Sequence, residues 1–171
     1  MVGSTAHLRS DLSKGLGKRI RRVARILFVR KERPQPNDGA LELEMDDGSV
    51  LLLDGASDGE SLRVRSEAWL DPFQPPLSDE NAQYVEEHGK WSRVDVSGDA
   101  PYAPIIGTHL LAVTVLENEH GRVAGVCLST EGPPIWFAVA GDESHVHWGH
   151  PIGFREIVTY GAPKDGANAD M

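Results

Sequence analysis

LELEMDDGSVLLL, residues 41–53, decides the fold. Leu41, Leu43 and Met45 alternate with Glu42 and Glu44, the period-two pattern of a strand with one apolar and one acidic face. Asp46-Asp47-Gly48 then reads as a hairpin turn, because glycine accepts the positive φ that such turns need. Val50–Leu53 is an unbroken apolar run, as in a strand covered on both faces. VCLSTEGPPIWFA, residues 126–138, repeats the pattern at an offset of 85. That offset aligns Leu41 with Val126, Leu43 with Leu128, Val50 with Ile135 and Leu52 with Phe137.

The repeat extends outward on both sides. GKRIRRVARIL (17–27) matches GTHLLAVTVLE (107–117), and DGESLRVR (58–65) matches GDESHVHW (141–148). Each block predicts four antiparallel strands joined by short turns. The expectation is a mainly β chain in which an internal duplication pairs two four-stranded units, 17–65 and 107–148, as a sandwich or a barrel. Such packing would bury one shared core and remove exposed edges. A final strand, Phe154–Tyr160, would pair at an edge.

The remaining segments frame these blocks. Leu8, Leu12 and Leu16 recur at i, i+4, predicting a short helix in an N-terminal arm, 1–16. RPQPNDG, 33–39, reads as a loop with an Asn-Asp-Gly turn. The β domain spans 17–161, with a linker at 66–106. In that linker a proline-rich stretch precedes Ser78, a good N-cap with Asp79 and Glu80 after it, and Gly89 stands as a stop. These signals predict a helix over 79–88, and Trp91–Val96 reads as a short edge segment. The tail, 162–171, lacks apolar periodicity and is expected to be disordered.

Composition narrows the function classes. The chain has 171 residues, 40% hydrophobic and 25% charged, which suits a single globular domain. Its one cysteine, Cys127, excludes an intrachain disulfide and a cysteine-rich zinc module, and its place in an apolar strand reads as core. No apolar run is long enough for a membrane span, and no secretory leader is visible, so a cytoplasmic location is expected. No P-loop, dinucleotide fingerprint or G-x-S-x-G nucleophile motif occurs.

Charge is unevenly placed. Residues 1–33 hold ten basic and two acidic groups, a net of +8, whereas the remainder carries −17. An acidic body repels phosphates, and the basic segment offers only Phe28 for stacking, so nucleic acid is disfavoured as a partner. A basic protein suits such a body, because opposite fields speed encounter. The acidic face of the first hairpin, Glu42, Glu44, Asp46 and Asp47, is the candidate partner surface.

The sharpest local pattern is ESHVHWGH, 143–150. On a strand Glu143, His145 and His147 share one face, with Val146 and Trp148 on the other, and His150 lies just beyond. Two imidazoles at i, i+2 with a carboxylate can hold a divalent transition metal such as zinc, iron or manganese. The repeat alignment places Leu62 and Val64 at the corresponding positions of the first block.

Two function classes follow. The first is a protein-binding module. In size, acidity and β content the chain resembles bacterial immunity proteins, and that compositional resemblance implies a stoichiometric inhibitor covering a basic surface. The second is a metal-dependent enzyme or metal-binding sensor built on His145, His147, Glu143 and His150. An exposed tryptophan among Trp69, Trp91, Trp136 and Trp148 would favour the first.

Overall fold

Alternating and β-branched segments pair into two antiparallel sheets in this computed structural model, which describes residues 3–163. After helix α1 (Gly3–Ser13) come strands β1 (Ile20–Arg30), β2 (Arg33–Met45), β3 (Val50–Gly55) and β4 (Leu62–Arg65). Helix α2 (Asp79–His88) and strand β5 (Lys90–Asp95) follow. The second half holds β6 (Leu110–Asn118), β7 (Val123–Thr130), β8 (Ile135–Ala140), β9 (Glu143–His147) and β10 (Phe154–Gly161).

The sheets run β4-β3-β2-β1-β5 and β10-β6-β7-β8-β9. Both are the same topology: a four-strand meander, with a fifth strand added beside the first. Each unit therefore has five strands where the sequence repeat predicts four. The fifth escapes the repeat because a long linker precedes β5, whereas only a short loop precedes β10. The sheets face each other across one core, with Leu41, Leu43, Leu51 and Leu53 from the first and Val113, Val126, Ile135 and Phe137 from the second. Among the described residues the strands pair as two five-stranded sheets.

The layers meet reciprocally at one corner. Gly17 N–H donates to Leu110 O, and Gly107 N–H donates to Ile20 O, both at 2.8 Å. Ile20 N–H donates to Thr108 O at 2.8 Å and Leu110 N–H to Lys18 O at 2.9 Å. Exchanging the two units turns each bond into its counterpart, as in a contact across a two-fold axis. Gly17 and Gly107 share a left-handed φ, 79° and 81°. The ladders also slip at matched places, Ile20/Arg22 in β1 and Leu110/Ala112 in β6.

The pairing register corrects the sequence alignment. Leu43 faces Leu51 and Leu41 faces Leu53, while Leu128 faces Ile135 and Val126 faces Phe137. Leu51 and Leu53 are therefore the counterparts of Ile135 and Phe137, one residue away from the alignment, because the β7–β8 connection is one residue shorter. A one-residue slip moves a side chain to the other face. Likewise Leu53 pairs with Val64 and Phe137 with Val146. His145 and His147 thus correspond to Arg63 and Arg65, and they replace no core residues.

Local signals explain the other elements. Ser78 Oγ accepts the Asn81 N–H at 3.1 Å and Gly89 closes α2 at φ 80°, as the sequence predicts. Helix α1 docks through Leu12, which has no exposed surface, with Leu16 buried just beyond its end. RPQPNDG is not a loop. The turn sits earlier, at Lys31 and Glu32, both with positive φ, so that β2 begins at Arg33. Pro34 and Pro36 are tolerated because they lie in the part of β2 that β3 does not reach. Asn37, at φ 62°, marks a bulge within the strand. The tail reading at 162–171 falls, from residue 164 onward, outside the described residues.

Candidate functional site

The histidine strand keeps the predicted facing. Glu143, His145 and His147 lie on the outer face of the second sheet, with Val146 buried opposite. His145 Nε2 is 3.0 Å from Glu143 Oε2, and the His145 and His147 rings are 6.1 Å apart between centroids. Burial, and then the neighbouring His145 charge, hold the His147 imidazole below its ordinary value. His150 stands apart, its Nδ1 3.0 Å from Pro151 O. Among the described residues no three His, Cys, Asp or Glu side chains converge as a metal-holding group. Trp148 does not pack beneath the strand. It is 45% exposed and meets Tyr102 edge-on at 5.1 Å. Cys127 is buried, and its thiol is pushed up chiefly by that burial, as befits a core residue and not a nucleophile.

The hairpin carboxylates are largely engaged within the chain. Glu42 is 2% exposed. It accepts Arg93 Nε and the Trp69 backbone N–H, both at 2.8 Å. Glu44 pairs with Arg21 and Arg22, and the Arg21 hydrogen bond foremost holds its carboxyl below the ordinary range. Lys18, Ser49 Oγ and the Ser49 N–H do the same for Asp47. Asp46 alone is exposed with no ion pair among the described residues. The basic segment therefore neutralises much of the acidic face chosen from the sequence: Lys18, Arg21 and Arg22 come from β1 or the residues before it.

A second place brings acidic and aromatic side chains together. A cleft of about 310 Å³ opens on the outer face of the first sheet, where β2 passes the edge strand β9. Ile26 and Ala40 form its floor, Trp69 and Trp91 stand as walls, and Asp38, Asp54 and Asp142 line its rim. None of these carboxylates belongs to the sequence-predicted partner face.

Each wall is held by its own support. Glu42 fixes the backbone of Trp69, and Arg93 lies 5.8 Å over the Trp69 ring. Trp91 packs edge-on against Phe28 at 5.7 Å. The rim depends on a buried arginine. Arg25, 3% exposed, donates to the backbone oxygens of Asn37, Gly39 and Ala40 and reaches Tyr102 Oη at 3.2 Å. Among the described residues no carboxylate pairs with it; carbonyl dipoles take that place. This network sets the bulge at Asn37, whose side-chain amide then pairs both ways with the Val146 backbone, at 3.1 and 3.2 Å. The next residue, Asp38, accepts the Ser144 N–H at 3.0 Å.

The opposite rim is made where the two DGES/GDES turns meet. Asp142 N–H donates to Gly59 O at 3.0 Å. A Cβ at Gly59 would lie 1.8 Å from Asp142 Oδ1, so glycine is required for that approach. Asp54 is paired with Arg63 at 2.8 Å and Arg65 at 3.7 Å. Asp38 and Asp142 have no Lys or Arg partner among the described residues. Sequence reading gives 33–39 as a loop and aligns 58–65 with 141–148, without bringing any of these segments together. Their matched position in the two repeats is the signal that could have placed two of them side by side.

The chain matches no protein-family model, no curated protein and no solved structure. Among the described residues no helix is long and apolar enough to cross a membrane.

Proposed function

We propose that this chain is a protein-binding module, of the stoichiometric inhibitor or immunity type, whose acidic body covers a basic surface of a partner protein. The observation that carries this reading is the cleft: Trp91 is 44% exposed beside two carboxylates that have no cation of their own among the described residues. A large aromatic held open at the surface is the usual anchor of a protein interface. The −17 balance of residues 34–171 supplies the field that would steer a basic partner. Asp46, in the β2–β3 turn, is a further exposed carboxylate on the same body.

The test compares capture from native cells at low salt by the wild type and by Trp91→Ala with Asp142→Lys. A partner retained by the wild type and lost by the variant, with an association rate that falls as salt rises, is the expected result. Equal capture by both proteins would contradict the reading.

Glu143, His145 and His147 sharing one face supports a second reading, a metal-dependent enzyme or metal sensor on that strand. It requires about one equivalent of zinc, iron or manganese in protein purified without a tag, and a melting temperature lowered by chelator. Metal-free protein with an unmoved melting temperature would remove it. The shared strand order, reciprocal corner bonds and matched ladder slips support descent of the two units from one duplicated ancestor.

A further inference from the structure

We infer that the cleft is a receptor for a single arginine side chain presented by the partner; this rests on the partner-binding reading above. Three features select the ligand chemistry. The walls are two indoles, and an indole face attracts a cation, a guanidinium above all because its plane can also stack. The chain already uses this contact beside the cleft, with Arg93 over Trp69. The rim offers Asp38 and Asp142, the two carboxylates that no internal cation neutralises among the described residues. A forked guanidinium can serve two carboxylates at once, which a compact ammonium does less well. Lastly, the cleft is at the small end of ligand pockets, which run roughly from 300 to 1,000 Å³. It fits one long side chain inserted from a protein surface.

The supports described above make the receptor preformed. Glu42 and Arg93 fix Trp69, Phe28 backs Trp91, and the Arg25 network fixes Asp38. Little conformational entropy would be lost when the guest enters, and that favours affinity. Asp54 stays with Arg63 and Arg65 and acts as a fixed negative neighbour on the rim.

The probe is the capped tripeptide acetyl-Gly-Arg-Gly-amide, set against its citrulline counterpart, a neutral analogue of the same shape. Indole N–H resonances of Trp69 and Trp91 are followed by ¹⁵N NMR at low salt, assigned with Trp→Phe variants. The arginine peptide should move both with a dissociation constant on the order of millimolar, and the citrulline peptide should bind at least about tenfold more weakly. Asp142→Asn, at an exposed position, should weaken the arginine peptide severalfold while leaving the spectrum otherwise folded. Citrulline binding as well as arginine, or cellobiose moving the indoles better than either, would overturn the assignment of a cation. Shifts confined to amides near Asp46 and Asp47 would overturn the cleft and leave the acidic-body reading standing. No shift anywhere, even with an arginine-rich nonapeptide, would remove both.

Discussion

The two five-stranded units share a strand order and a core, yet their outer faces differ. Unit one inserts residues 66–89 between β4 and β5, and this segment lays Trp69 over the first sheet. Unit two has only Trp148–Gly153 at the same place, and its outer face leaves His145 and His147 half-buried. Inside, Arg25 of β1 pairs with Leu41 as Val115 of β6 pairs with Val126. One position thus carries a buried guanidinium in one unit and a methyl-bearing side chain in the other. Apart from that position the inner faces, which fill one core, are alike in their apolar character. The differences collect where a long connection or a single charged residue could bend β2 toward β9, and that is where the cleft lies.

The comparison breaks most sharply at Arg25. Arg25→Leu strips the donors from three backbone oxygens and Tyr102 and should cost about 3 kcal/mol or more by urea unfolding, since buried unsatisfied acceptors are expensive. Val115→Leu at the matching position adds one methylene to the core but strands no polar atom, and should cost less, about 1–2 kcal/mol. Similar costs at the two sites would mean that the Arg25 network does not organise the bulge. A smaller effect tests the likeness of the units. Gly17→Ala and Gly107→Ala each force a left-handed residue, at φ 79° and 81°, and a Cβ meets nothing closer than 3.6 Å at the first and nothing within 4 Å at the second. Each should therefore cost about 1–2 kcal/mol, and the two costs should match. Unequal melting shifts would argue against reciprocal roles at the corner.

Helix α2 and most hairpins were legible because they depend on local chemistry: alternation in 41–45, a Gly in the turns at 48, 59, 121, 132 and 141, Ser78 and Gly89 at the helix ends. The β1–β2 turn, Lys31-Glu32, has no glycine and was missed. The register of the second hairpin was not legible either, since one residue fewer between β7 and β8 is invisible to a match scored on apolar character. That slip made His145 look like a substituted core residue when its true counterpart is Arg63. The acidic alternation of Glu42 and Glu44 was also legible, but what covers that face comes from Trp69 and Arg93, distant in sequence. The cleft needed three turns and two tryptophans from separate elements, and no local pattern joins them.

The smallest predicted effect concerns the outer face of unit two. Burial and the His145 charge hold the His147 imidazole below its ordinary 6.5, so the unfolded chain takes up a proton that the folded chain resists. Stability should therefore fall as pH drops below about 6.5. His147→Gln should flatten that part of the profile, and Arg65→Gln at the matching position should leave it in place. An unchanged slope in His147→Gln would show that the ring is not the group responsible.

Amide hydrogen exchange of the chain with its captured partner tests the central claim most directly. The account predicts slowed exchange on binding at residues 37–40, 54–59, 69–70, 91–92 and 142–144, which surround the cleft, and unchanged exchange along the outer face of β10. Protection limited to the 46–48 turn or to the histidine strand, with the cleft segments unaffected, would contradict it.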